Sequence, residues 1–220
     1  MIPVLDARDL YRFFHAGEDE TLALRGVSIT VDAGEMVAIT GPSGSGKSTL
    51  LACLAGLDEP DGGIVRVAGH VVSRRPEPER AALRARHIGM LFQSGNLLEH
   101  LSVDQNVALA QALAGARDAD KRAALLDDLG LARRQAAHPT ELSGGEAARA
   151  GLAVALANDP AVLLADEPTG EVDATTEQQV LALLRRRADA GGAVVIVTHS
   201  RGVAAAADRT IALSDGVVSS

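Results

Sequence analysis

The 220-residue chain fits one or two domains and is long enough to bury a substantial core. With 29 acidic residues against 21 basic ones its formal charge is −8, which argues against nucleic acid as the main partner without excluding a local basic patch. The single cysteine, Cys53, can make neither an internal disulfide nor a zinc site and reads as a small buried residue. Asp6, Arg8 and Asp9 interrupt the amino-terminal segment too early for an apolar signal region. No apolar run approaches the roughly 18 residues that span a bilayer. The expectation is a cytosolic or membrane-peripheral protein, any membrane part being supplied by another chain.

To about residue 72 the chain reads as strands and turns. Residues 22–31 carry a strand pattern closed by Asp32-Ala33-Gly34. Residues 36–40 are an apolar, β-favouring run, and residues 50–54 read as a buried helix. Residues 64–67 and 70–72 flank Ala68-Gly69 as a hairpin. Pro76 and Pro78 predict a loop and then a short helix within 74–86. Residues 103–131 are Ala/Leu-rich with helical spacing, and 143–158 form a further helix capped by Ser143. Residues 161–165 and 193–197 are runs of buried-strand length, separated by an amphipathic helix over 174–190 that Gly191-Gly192 ends. Residues 211–213 and 217–218 flank Ser214-Asp215-Gly216 as a hairpin. Apolar strands alternating with helices predict an α/β protein with a parallel sheet covered on both faces. The helical middle reads as an insertion into that core.

Between the strand at 36–40 and the helix after it lies Gly41-Pro42-Ser43-Gly44-Ser45-Gly46-Lys47-Ser48-Thr49, which fits G-x-x-x-x-G-K-[ST] at every fixed position. Glycines let successive N–H groups wrap a phosphate, and the following helix adds the positive end of its dipole. Lys47 reaches the β- and γ-phosphates, and Ser48 offers a hydroxyl to Mg²⁺. Asp166-Glu167 stands at the carboxyl end of the apolar run 161–165, where α/β sheets bind ligands. Asp166 suits holding Mg²⁺, and Glu167 suits general-base work on a water beside the γ-phosphate. His199 follows the run 193–197 and is placed to contact the γ-phosphate or orient that water. Leu142-Ser143-Gly144-Gly145-Glu146 opens a helix with a hydroxyl and two glycines, a second anion cradle. One γ-phosphate and two cradles are reconciled by a dimer in which each nucleotide sits between the loop of one copy and the Ser-Gly-Gly of the other.

In these residues the chain resembles, over essentially its whole length, the ATP-binding subunit of ATP-binding cassette (ABC) transporters. Residues 41–49 look like Walker A, 142–146 like the signature, 162–167 like Walker B, Gln93 like the Q-loop glutamine, 171–173 like the D-loop and His199 like the switch histidine. Residues 163–170, and His138-Pro139-Thr140-Glu141, are similar to the macrolide-export, lipoprotein-release and cell-division group. The resemblance implies a P-loop NTPase core with a mostly parallel sheet, an amino-terminal antiparallel β subdomain and an inserted helical subdomain. It divides a single domain, 1–220, into a nucleotide-binding part (1–93 and 159–220) and a helical part (94–158). It implies an ATPase using ATP and Mg²⁺ that drives a separate integral membrane permease from the cytoplasmic face through a head-to-tail homodimer. Its implied catalytic residues are Lys47, Gln93, Glu167 and His199. Mg²⁺ would be held by Ser48, Gln93 and Asp166, and the nucleotide bound by residues 41–49, Gln93, Ser143, Gly144, Gly145, Glu146, Asp173 and His199. The resemblance also implies an aromatic stacked on adenine before the first core strand. Of the four aromatics, Tyr11, Phe13 and Phe14 cluster there, and register favours Phe14.

The chain also departs from that pattern. Glu146 stands where glutamine is usual, Glu171-Val172-Asp173 where Asn-Leu-Asp is usual, and Val154 near the place of a usual arginine. No departure removes a catalytic group, so an active ATPase with altered dimer strength is expected. Two other functions compete: an ATPase that regulates cell-wall hydrolases through a membrane partner, and a cassette acting in translation or DNA repair. One cassette, no zinc cysteines and the acidic charge disfavour the last.

Overall fold

The structure is a computed structural model and describes residues 3–16, 19–170 and 172–219, with side chains outside 15–20. Two sheets share the strands. β1 (Leu5–Ala16), β2 (Asp19–Val31), β4 (Gly62–Val67) and β5 (His70–Val71) form an antiparallel sheet in the order β2-β1-β4-β5. β3 (Met36–Thr40), β6 (Ile88–Leu91), β7 (Val162–Asp166), β8 (Ala193–Val197), β9 (Arg209–Ser214) and β10 (Val217–Ser219) form the second sheet, ordered β10-β9-β3-β8-β7-β6. Its strands are parallel except β10, which returns antiparallel beside β9.

Seven α-helices join these strands among the described residues: α1 (Lys47–Leu54), α2 (Glu77–His87), α3 (Val103–Leu113), α4 (Ala119–Asp128), α5 (Gly144–Leu156), α6 (Ala174–Asp189) and α7 (Arg201–Ala205). The parallel sheet separates two cores. Val37, Ile39, Leu164, Val195 and Val197 face one way, against α1 and the antiparallel sheet. Met36, Leu163, Ala165, Val194 and Ile196 face the other, against α3, α5 and α6. This alternation is the two-residue period of a strand, and it explains why β8 is apolar at every position: both its faces are buried. The α/β class, the antiparallel amino-terminal sheet and the helical insert are thus as expected.

Three local readings gain detail. Pro76 and Pro78 open α2, the short helix expected after the loop, because proline costs nothing in a first turn whose N–H groups have no partner. The stretch of helical spacing over 103–131 holds two helices: Gly115 turns the chain at φ +78°, and the Asp118 carboxylate caps α4 by accepting from Lys121 N–H. β1 is a twelve-residue strand whose alternation is hidden by Asp6, Arg8 and Asp9. The irregularity there is a bulge, with Asp9 at φ +50°.

Candidate functional site: a phosphate loop facing two strand ends

β3, β8 and β7 are neighbours and run parallel, so their carboxyl ends open on one edge of the sheet. β3 delivers residues 41–46, β7 delivers Asp166 and Glu167, and β8 delivers Thr198 and His199. Phe14, Gln93, Lys47, Asp166, Glu167 and His199 line a single cavity of about 630 Å³, together with Gly41, Ser43, Gly44, Gly46, Ser48 and Thr49.

The loop wraps tightly because glycine is required at its two ends. A Cβ on Gly41 (φ +153°) would lie 2.1 Å from the Leu213 carbonyl oxygen, and one on Gly46 (φ +100°) would lie 2.5 Å from that of Ala23. Gly46 also begins α1 with no side chain to cap it, which leaves the first-turn N–H groups to an anion. Lys47 Nζ donates to the carbonyls of Gly41 and Pro42, each at 2.8 Å, and so sits across the loop. Ser45 behaves differently from its neighbours. It is buried, and its hydroxyl has no hydrogen-bond partner; its backbone ties the loop down by donating to Pro42 O and accepting from Gly216 N–H. An uncapped helix start, a cradle no Cβ can enter and an ammonium suit a polyphosphate.

Asp166 lines the cavity together with Ser48. Burial, and then the charge of Glu167, raise its pKa, while Ser48 and the Lys47 ammonium act against that rise. One carboxylate and one hydroxyl beside a phosphate cradle make an oxygen set suited to Mg²⁺, which usually keeps waters and takes one or two carboxylates plus phosphate oxygens.

Glu167 is held from three directions. Its φ of +45° turns the chain sharply at the end of β7, and its N–H still pairs with Val197 O at 2.9 Å. Oε2 accepts from Thr198 Oγ1 at 3.1 Å and from His199 N–H at 3.3 Å, and Oε1 lies 2.8 Å from His199 Nδ1. The carboxylate is thereby fixed in the wall of the cavity that the phosphate loop also lines, and it is a group that can accept a proton. Gln93, after β6, packs against Gly170: a Cβ there would lie 3.3 Å from Gln93 Nε2. Of the three amino-terminal aromatics only Phe14 lines this cavity. Tyr11 instead covers Gly26 and Gly62.

Ser143, Gly144, Gly145 and Asp173 lie elsewhere in this single chain, around a separate recess of about 330 Å³. Ser143 caps α5: its hydroxyl accepts from Glu146 N–H at 3.3 Å, while Ser143 N–H donates to Glu146 Oε2 at 2.9 Å. Arg134 donates to Glu146 Oε1 at 2.7 Å. The Ser143 N–H and then Arg134 push the Glu146 carboxyl down to about 2. Asp173 caps α6, accepting from Thr175 and Thr176 N–H at 2.9 and 3.0 Å and from Thr176 Oγ1 at 2.8 Å. The D-loop departure Glu171 lies outside the described residues. Three site neighbours carried no signal in the sequence: Thr198 on Glu167, Arg134 on Glu146, and Arg12, whose guanidinium lies 4.8 Å from the centroid of the Phe14 ring.

Phosphate loop, paired acids and strand order define a P-loop nucleotide-binding cassette. A family model described as ABC transporter matches residues 24–170, and the chain belongs to that family. Among curated relatives, the macrolide export ATP-binding/permease protein MacB of Escherichia coli (strain K12) is 43% identical over 99% of this chain. The MacB of Shigella flexneri is equally similar. The chain spans 34% of the length of these relatives. Among solved structures, the dimeric structure of MJ0796, described as a bacterial ABC transporter cassette, superimposes with a TM-score of 0.89 at 34% identity, covering 98% of this chain and 97% of that one. A post-hydrolysis dimer of the same cassette bound to ADP and Pi gives 0.89 at 35%, with the same coverage. No helix among the described residues is long and apolar enough to cross a membrane.

Proposed function

We propose that this cassette hydrolyses ATP as a head-to-tail homodimer and uses the closing and opening of that dimer to drive a membrane permease. The observation that carries the reading is the Glu167 carboxylate, held by Thr198 and His199 and facing the phosphate loop across one cavity. In this reading Phe14 stacks on adenine, residues 41–49 wrap the phosphates and Lys47 moves from its loop carbonyls to the β- and γ-phosphates. Ser48, Asp166 and Gln93 would hold Mg²⁺, which would supply neutralisation of the phosphate charge. Glu167 takes the proton of the attacking water, and His199 steadies the carboxylate and the γ-phosphate. The second copy contributes Ser143, Gly144, Gly145 and Glu146 to the same γ-phosphate, and Asp173 to the contact between copies. The dimeric cassettes among the solved structures support this arrangement.

The helical part, 94–158, then acts as the arm between nucleotide and permease. Leu97 packs on the core and Val103 is fully buried, so of the apolar residues in 97–103 mainly Leu98 is free to meet a partner, beside the exposed Glu99 and His100. A broader apolar groove of about 600 Å³ runs between the two parts, lined by Leu57, Met90, Phe92 and Leu113. We place the permease there, at the membrane's inner face. Relatives named as ATP-binding/permease proteins join both functions in one chain, and their macrolide-export naming makes an exporter the first candidate.

The test is Glu167→Gln. Turnover is expected to fall by about 10²–10⁴ with ATP binding kept, and the variant should elute as a dimer only with ATP and Mg²⁺. Near-normal phosphate release would sink the general-base role, and a monomer saturated with ATP would sink the sandwich. Captured from native membranes in its ATP-bound form, the same variant should bring down a polytopic permease; purely soluble partners would speak against the transport reading.

A further inference from the structure

Phe14 is 42% exposed on β1, yet it is not a loose side chain. The Arg12 guanidinium lies 4.8 Å from its ring centroid, near enough for a cation–π contact. Two carboxylates fix that guanidinium. Asp58 accepts from Nε and Nη2, both at 2.8 Å, and Asp61 accepts from Nη1 at 3.0 Å. Asp61 also accepts from Phe13 N–H at 2.8 Å, and its own N–H donates to Tyr11 O at 2.9 Å. The strand carrying Phe14 is therefore clamped to the segment that leaves α1, the helix that begins in the phosphate loop. Asp58 N–H is itself bonded to Ala52 O of that helix at 3.1 Å.

Two consequences follow for a ring that also lines the nucleotide cavity. The cation takes one face, so the other is the face offered to a planar ligand. A cation behind the ring also draws π-electron density toward itself, which favours an electron-rich purine on the opposite face. A ring already held in place loses less freedom when a base stacks on it.

We propose that Arg12 is a positioning residue for the nucleobase. Anchored by Asp58 and Asp61, it holds Phe14 as a one-faced platform at a set distance from the phosphate loop. The inference rests on the reading of Phe14 as the adenine contact, and it adds a residue that never touches the nucleotide.

The experiment compares ATP with inorganic tripolyphosphate, both with Mg²⁺, by calorimetry on wild type, Arg12→Lys, Arg12→Gln and Phe14→Ala. Tripolyphosphate reports the phosphate loop alone, so the ratio of the two affinities isolates the base. Both Arg12 variants are expected to lower that ratio roughly fivefold, the size of a cation–π contact of about 1 kcal/mol, with tripolyphosphate affinity nearly unchanged. Arg12→Lys keeps the charge and can still pair with Asp58 or Asp61, so it guards against simple misfolding of the Gln variant. If Phe14→Ala lowers the ratio and neither Arg12 variant does, the inference is overturned while the adenine reading stands. If Phe14→Ala itself leaves the ratio unchanged, the adenine reading fails and takes the inference with it. Equal losses for both ligands in the Arg12 variants would assign Arg12 a structural role only and overturn the proposal.

Discussion

Glu146 puts a carboxylate where a neutral amide is usual, next to a serine proposed to meet a second protomer's γ-phosphate. Its Oε2 accepts both the N–H and the hydroxyl of Ser143, at 2.9 and 3.1 Å, so the hydroxyl proton is committed to the carboxylate. Arg134 on Oε1 balances that charge and weakens the hold on the proton. Removing Arg134 would leave an unbalanced anion facing an incoming phosphate. Arg134→Gln in the Glu167→Gln background is therefore expected to raise the ATP concentration for half-maximal dimer roughly tenfold. The further change Glu146→Gln should restore it. Light scattering against ATP concentration reads both, and a double variant as weak as the single one would refute the charge argument.

Among the elements, α6 shows a cap placed beside the site. Asp173 satisfies two backbone N–H groups and the Thr176 hydroxyl, a residue itself buried, and these bonds hold the Asp173 carboxyl below the usual carboxylate range, the Thr176 N–H most of all. A lowered pKa makes this a contribution present above the unfolded carboxylate value and lost as pH falls through the folded one. Asp173→Ala is expected to lower the urea midpoint of the nucleotide-free protein at neutral pH. The drop should shrink in acid as the wild-type carboxylate is protonated. No loss at neutral pH would mean that the cap is redundant. Because the same residue is proposed at the contact between copies, the monomer measurement has to precede any reading of its effect on dimerisation.

For the whole molecule, the two cores share one sheet, so the helices of the second core pack on the same strands whose carboxyl ends line the nucleotide cavity. α5 contributes Leu152 and Ala153 to the same core as Leu163 of β7. The groove proposed for the permease exposes Leu113 at 70% and Leu57 at 48%, an unusual cost for side chains of that size without a covering surface. Leu113→Glu is expected to fold with an unchanged circular dichroism spectrum and to bind ATP, yet to lose the permease in membrane capture. Undiminished capture would move the docking surface elsewhere.

What the sequence determined by itself was everything that residue type and short spacing dictate. The phosphate loop was legible because its glycines answer to backbone demands within nine residues. The caps at Ser143 and the end of α6 at Gly191 were legible for the same reason, and so were the buried strands, whose length and β-branching admit few other structures. The break at Pro76 was read as a loop and then a helix, and that at Gly115 was not read at all, since a glycine serves either a loop or a helix end. Tertiary structure alone decided the partnerships. Glu167 meets Thr198 and His199 across 31 and 32 positions, and Arg12 meets Asp58 across 46, because the sheet order sets β7 beside β8 and brings β1 over the end of α1. Strand order comes from the packing of two faces at once, and no periodicity along the chain encodes it. Which arginine stands behind Phe14 and which one balances Glu146 were settled at that level.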